Sequence, residues 1–156
     1  MTILKLITIG AVLLLVTMPL LSCSDKNRTK LGVTNSELAP CPSSPNCVSS
    51  DDHGNSHKIH PFQLNVLPAE AWKLTRKLVL EMPRTQIVQE TSDYLHAECQ
   101  SALFGFIDDL ELHLRPTERI IAIRSASRMG YSDFGVNRRR VEALRNSLIS
   151  QGVLRQ

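Results

Sequence analysis

Residues 106–115 alternate too regularly for anything but a strand with one buried face. Leu110, Leu112 and Leu114 fall on one side, and Asp109, Glu111 and His113 on the other. Side chains two positions apart share a face of a strand, so the leucines turn toward a core and the charged residues away from it. The neighbouring segments extend the pattern. Residues 85–90 and 93–100 flank the short polar turn Thr91-Ser92, and residues 119–126 are β-rich after a turn containing Pro116. Links this short join consecutive strands into an antiparallel meander.

Helical periodicity brackets the strands. Pro68 suits a first helical position, where its missing N–H would be unbonded in any case. Ala71, Leu74, Leu78 and Met82 then recur at three- and four-residue steps, and Pro83 ends the helix. A last helix is expected from Ser132 or Asp133, either of which can accept a bond from a free backbone N–H. Its buried stripe is Val141, Leu144 and Leu148, with Gly152 just past its end. The order is α-β-β-β-β-α. It predicts an α+β fold, a four-stranded, mostly antiparallel sheet with an N-terminal and a C-terminal helix on one face. The charged face of residues 106–115 is then expected to be solvated.

A chain of 156 residues holds one such domain and not two. It is preceded by a different kind of segment. The first 23 residues carry one charge, Lys5, ahead of an apolar run over residues 6–21. That run falls short of the 18 or so residues of a membrane-spanning helix and fits a signal peptide. Leu20-Leu21-Ser22-Cys23 resembles the lipobox of bacterial lipoproteins, in which the thiol takes up a diacylglycerol. The competing reading is an ordinary signal peptide or a short anchor with an incidental cysteine. The resemblance implies a signal peptide over residues 1–22, a lipidated Cys23, and a membrane as partner through the fatty-acyl anchor. Ser24, where inner-membrane retention would use Asp, favours the outer membrane by resemblance to the enterobacterial sorting rule. Residues 23–39 read as the anchor and a flexible tether, and residues 40–156 as the domain.

Cys41, Cys47 and Cys99 remain, in a compartment that favours disulfides. Cys41 and Cys47 can close a small loop bent by Pro42 and Pro45, leaving Cys99 a buried thiol. Cys41 with Cys99 is the rival pairing. Redox chemistry is disfavoured, because redox thiols usually sit two residues apart at a helix start. Residues 40–65 are otherwise irregular, and Ile59, Pro61 and Phe62 argue that they pack on the domain.

Two stretches resemble the signature ends of the domain of unknown function 1499 family. They are Cys41-Pro-Ser-Ser-Pro-Asn-Cys47-Val-Ser-Ser50 and Arg124-Ser-Ala-Ser-Arg128-Met-Gly130-Tyr-Ser-Asp133-Phe-Gly135-Val-Asn137-Arg138-Arg139-Arg140. His57-Lys-Ile-His-Pro61-Phe62 and Phe104-Gly-Phe-Ile-Asp108-Asp109 fit between them, so the likeness covers roughly residues 40 to 150. Members are typically secreted, lipid-anchored or plastid proteins. The resemblance implies a compartment and a domain, and it supplies no reaction.

Charge is distributed unevenly. Residues 115–156 carry nine arginines against Glu118, Asp133 and Glu142, a balance of +6. Residues 24–114 carry eight basic and twelve acidic side chains, a balance of −4. The basic end runs off a strand toward a helix start, where free N–H groups and the helix dipole attract anions. Arginine adds a planar fork suited to carboxylate or phosphate. Arg124, Ser125, Ser127, Arg128, Asp133, Asn137 and Arg138, with the backbone near Gly135, are therefore the candidate anion- or partner-binding residues. The structural alternative pairs Arg124 internally with Asp108 and lays Arg138, Arg139 and Arg140 on the outer face of the helix.

Other constellations are weaker. His96, Glu98, Asp109, Glu111 and His113 would adjoin across a hairpin, and His53, His57 and His60 adjoin Asp51 and Asp52. Neither set has the spacing of a known metal motif, and no cofactor is called for. Ser43, Ser44, Ser49 and Ser50 lack a nucleophile elbow. Nucleic acid is disfavoured by compartment and by the lack of aromatics among the arginines.

The favoured function is a noncatalytic envelope lipoprotein, facing the periplasm and binding an anionic ligand or a protein partner. The alternative is a hydrolase-like envelope enzyme using Asp108, Asp109, His96 or His113, with or without a divalent metal. An enzyme predicts polar groups converging in one cleft with perturbed pKa values. A binding surface predicts an exposed apolar patch beside the arginines.

Overall fold

The computed structural model of the chain describes residues 30–155. Residues 1–22, expected as a signal peptide, and Cys23, the expected lipidation site, lie outside the described residues. Eight strands and two helices follow one another: β1 Val33–Thr34, β2 Glu37–Leu38, β3 Cys47–Ser49, β4 Phe62–Gln63, α1 Pro68–Glu81, β5 Thr85–Glu90, β6 Tyr94–Gln100, β7 Ile107–Arg115, β8 Ile120–Ser127 and α2 Val136–Ser150.

The expected meander is present, with β5, β6, β7 and β8 consecutive and antiparallel. The sheet is larger than the expected four strands, however. β3 pairs with residues 124–126 of β8 and β4 with residues 120–121, which makes a six-stranded sheet. These added strands come from the irregular stretch of residues 40–65. At two or three residues each they are too short to leave a period in the sequence, and they cover an edge of β8 that would otherwise be open.

Part of the stretch expected as a flexible tether, residues 33–38, is folded. β1 and β2 form a hairpin about Asn35 and Ser36, both with positive φ as a tight hairpin turn requires. Leu38 is buried against Tyr94 and Ala122, on the sheet face opposite the helices. The domain therefore begins with this hairpin.

Both helices lie on the leucine face. Val79, Val141, Leu144 and Leu148 pack in one core with Leu110, Leu112, Leu114 and Ile123. In α1 the fully buried line is Ala71, Thr75 and Val79, while Leu74, Leu78 and Met82 flank it half-buried. The hydroxyl of Thr75 bonds back to the carbonyl of Ala71, which lets a polar residue sit in the centre of the stripe. α2 starts at Val136 behind a left-handed Gly135, later than expected. Asp133 caps it from a distance: its carboxylate accepts the N–H groups of Gly135 and Asn137 at 2.9 and 2.7 Å. Gly152 lies just past the end of α2, with φ +72°.

Cys41 and Cys47 are joined, with Cα atoms 5.7 Å apart, and Cys99 is free and buried. The rival pairing of Cys41 with Cys99 does not form.

Candidate functional site

The arginine/serine segment is divided by its own strand. Successive residues of β8 point to opposite faces, so Arg124 leaves one side of the sheet and Ser125 and Ser127 the other. The expected single pocket of Arg124, Ser127, Arg128 and Asn137 is thus two networks back to back.

The first lies on the charged face, expected to be solvated, which is instead largely buried. Glu111 and Arg124 are 0% exposed and Asp109 is 1% exposed. Register places Arg124 directly opposite Glu111, and Nη1 donates to Oε2 at 2.7 Å. Arg124 therefore pairs with Glu111 rather than Asp108, because Asp108 is on the helix face. The other Glu111 oxygen accepts Tyr94 Oη at 2.8 Å and the N–H of Gly32 at 2.7 Å. That last bond ties the entering chain down over the pair. Nε and Nη2 of Arg124 have no partner among the described residues.

Nearer the end of the sheet, Asp109 Oδ1 meets His96 Nε2 at 2.7 Å, and Arg128 reaches both carboxylate oxygens of Asp109. Arg128 Nη2 also donates to Glu98 at 2.5 Å. Burial pushes the Asp109 carboxyl up, but the hydrogen bonds from His96 and Arg128, with their charges, outweigh it and hold it below the usual range. Hydrogen bonding to Asp109 and Glu98 raises the Arg128 guanidinium against the opposing effect of burial. Tyr94 is pushed far up by burial and by the Glu111 carboxylate, so its hydroxyl stays a donor. His113 is lowered by burial and by the nearby Arg115 charge.

The second network faces the helices and centres on Asn137, which is fully buried. Its Oδ1 accepts Ser125 Oγ at 2.6 Å and Arg140 Nη1 at 2.5 Å. Its Nδ2 donates to Ser127 Oγ at 3.0 Å and to the carbonyl of Asn46 at 3.1 Å. Arg140 turns inward to Asp108 at 2.6 Å, so it does not cover the outer helix face as expected. Asn46 donates in turn to the carbonyl of Gly130 at 2.6 Å, which locks the disulfide loop to the β8–α2 turn.

Arg138 and Arg139 are exposed and contact carbonyl oxygens only, Arg138 those of Ser56 and Lys58 and Arg139 that of Phe134. In the histidine-rich loop Asp51, Asp52 and His57 are likewise taken up internally, while His53 and His60 are exposed. Asp51 pairs with Arg115 and accepts the Leu38 N–H, Asp52 accepts Cys41 N–H and Gly54 N–H, and His57 Nδ1 meets the Cys47 carbonyl. Among the described residues no three histidine, cysteine, aspartate or glutamate side chains could hold a metal ion.

What sequence reasoning missed is at one end of the sheet. Gln100 pairs with Ile107 and Asp108 with Ser127, so the loops 101–106 and 128–135 leave the sheet side by side. The Arg128 N–H joins them by bonding the Ile107 carbonyl at 3.2 Å. These loops expose Leu103, Phe104, Phe106, Met129, Tyr131 and Phe134, with Phe134 87% exposed. The rings of Phe104 and Phe106 stack at 5.6 Å. Phe134 is held at φ +52°, where a bulky side chain is strained. The signal was present as aromatics flanking Gly105, Gly130 and Gly135, in turns where apolar residues have no core to reach.

Compared with known proteins, residues 37–148 match the model of a family described as a protein of unknown function (DUF1499). No curated protein and no solved structure matches the chain.

Proposed function

The chain belongs to the DUF1499 family, and from that footing we propose a noncatalytic envelope lipoprotein, tethered through Cys23, that binds through the end carrying loops 101–106 and 128–135. The observation that carries this reading is the exposed apolar group of Leu103, Phe104, Phe106, Met129, Tyr131 and Phe134 beside the arginine segment. A monomer has no folding reason to expose aromatics in adjoining loops, and such patches mark interaction sites. The acid–base candidates support the same side of the choice. His96 is bonded to Asp109, Asp109 also to Arg128, and Asp108 to Arg140. On this reading Arg124, Arg128, Arg140 and the buried serines hold the loops in shape and do not themselves contact the partner.

A photocrosslinking residue in place of Phe134 tests the proposal in cells. Adducts at position 134, and none from the same residue in place of Leu67, are expected. Equal absence of adducts at both positions refutes it. Arg124 supports a second reading, a small anion held at its two unpartnered N–H groups. Thermal stability followed while phosphate or a carboxylate is added tests that reading, and an unmoved midpoint rules it out.

A further inference from the structure

We propose that the surface met by this end is the lipid–water interface of an anionic bilayer, with the aromatic loops inserted and the sheet standing over them. The inference rests on the tethered-lipoprotein reading and names what that surface touches.

The place where the chain enters the domain argues for it. Leu38 packs at the level of Tyr94 and Ala122, whereas Gly32 bonds Glu111, nearer the loop end. The described chain thus enters over the middle of β7. Glu111 is four residues along β7 from Ile107, or about 13 Å at a strand's rise per residue. The eight residues from Cys23 to Lys30 reach at most about 25 Å when extended. An acyl group on Cys23 is thus within reach of a bilayer that touches loops 101–106 and 128–135. Such an anchor holds the whole domain at a high effective concentration of lipid, and the exposed aromatics single out this end.

The chemistry of the end fits a headgroup region. Phenylalanine and tyrosine favour the depth where chain and headgroup meet, with tyrosine keeping its hydroxyl wet. Leu103, Phe104 and Met129 supply the apolar part, and the strained Phe134 is fixed outward by Asp133 and Arg139. Charge agrees as well: exposed Arg84, Arg138 and Arg139 outnumber exposed Glu81 here. In the tether Lys26, Arg28 and Lys30 outnumber Asp25. Basic side chains near an anionic surface add to attraction.

The full chain is expressed with its leader, purified in detergent, weighed by mass spectrometry and returned to phosphatidylglycerol vesicles containing brominated lipid. In a W72F background, F104W is compared with L67W. Leu67 is exposed at the opposite end, where Val66 meets Arg119 of the β7–β8 turn. The expected result is an acylated protein whose F104W emission shifts to the blue and is quenched, while L67W emission does neither. If W72F does not fold, an environment-sensitive dye on Y131C in the otherwise native chain reads the same burial. An acylated protein with F104W as unquenched as L67W overturns the docking and leaves the tether standing. Capture of a protein by the crosslinker at position 134, with F104W unquenched, assigns the end to that partner and overturns the proposal. A mature protein without acyl chains overturns both the tether and the docking.

Discussion

Replacing Glu111 by leucine tests the buried pair most directly. Glu111 accepts three hydrogen bonds, from Arg124, Tyr94 and the Gly32 N–H. Each stranded buried donor costs about 1–3 kcal/mol, and Gly32 at the margin can turn to water. Loss of one partner of a buried ion pair costs about 3–5 kcal/mol in total. E111L is therefore expected to destabilise by about 4 kcal/mol, a large share of the roughly 5–15 kcal/mol that holds a domain folded. R124M leaves Glu111 charged and buried with two neutral donors, and is expected to cost about 3 kcal/mol. The double variant removes both charges and strands mainly the Tyr94 hydroxyl, so it is expected to cost about 2 kcal/mol. Guanidinium unfolding followed by circular dichroism, with the disulfide intact, gives all three values. The coupling between the sites should exceed about 2 kcal/mol. Additive single and double variants, within about 0.5 kcal/mol, would refute the claim that the two charges stabilise each other across the β7–β8 register.

Replacing both Cys41 and Cys47 by serine opens a loop of sequence separation 6; chain entropy puts the cost at about 2 kcal/mol, read from the denaturation midpoint. N137A takes a partner each from Ser125, Ser127 and Arg140 around a buried cavity, leaving Arg140 on Asp108 and Ser125, and is expected to cost about 2–4 kcal/mol, with faster amide exchange across residues 128–135. Asp109 is held below the usual carboxylate range, so its contribution is full above the unfolded pKa of about 4 and is lost as pH falls through the lower folded value. D109N should flatten that acid limb in a plot of melting temperature against pH. His113 is lowered too, so the unfolded chain takes up its proton first, and stability drops as pH falls below about 6.5. H113Q should remove this step, and an unchanged profile between pH 5 and 7 would show that His113 is not its source.

The strands of the meander were legible because each is long enough to repeat a pattern. Residues 106–115 show their buried leucines at every second position, and the observed β7 differs by one residue. The helix limits were legible for a different reason: Pro68, Pro83 and Gly152 are local backbone constraints, independent of what packs nearby. β3 and β4 were not legible, since Cys47–Ser49 and Phe62–Gln63 become strands only by meeting the free edge of β8. The same holds for the hairpin of residues 33–38, whose Leu38 is one apolar residue in a polar stretch.

The site shows the division more sharply. Sequence could place Arg124 and Ser125 on the last strand and Ser127 and Arg128 where the chain leaves it, and alternation alone dictates that Arg124 and Ser125 face opposite ways. It could not say which carboxylate meets which arginine. Those pairs join residues 13 to 32 positions apart, Arg124 to Glu111 and Arg140 to Asp108 among them, and depend on sheet register and on where α2 docks.

By itself, then, the sequence determined local periodicity, chain punctuation and a lipobox-like start, and offered the short disulfide loop as one of two pairings, because each rests on neighbours within a few residues. Only the tertiary structure decided that the charged sheet face is roofed by the entering chain, and that two distant turns bring their aromatics to one end. Burial is a property of what lies on top of a residue, and nothing in a strand's own alternation records its cover.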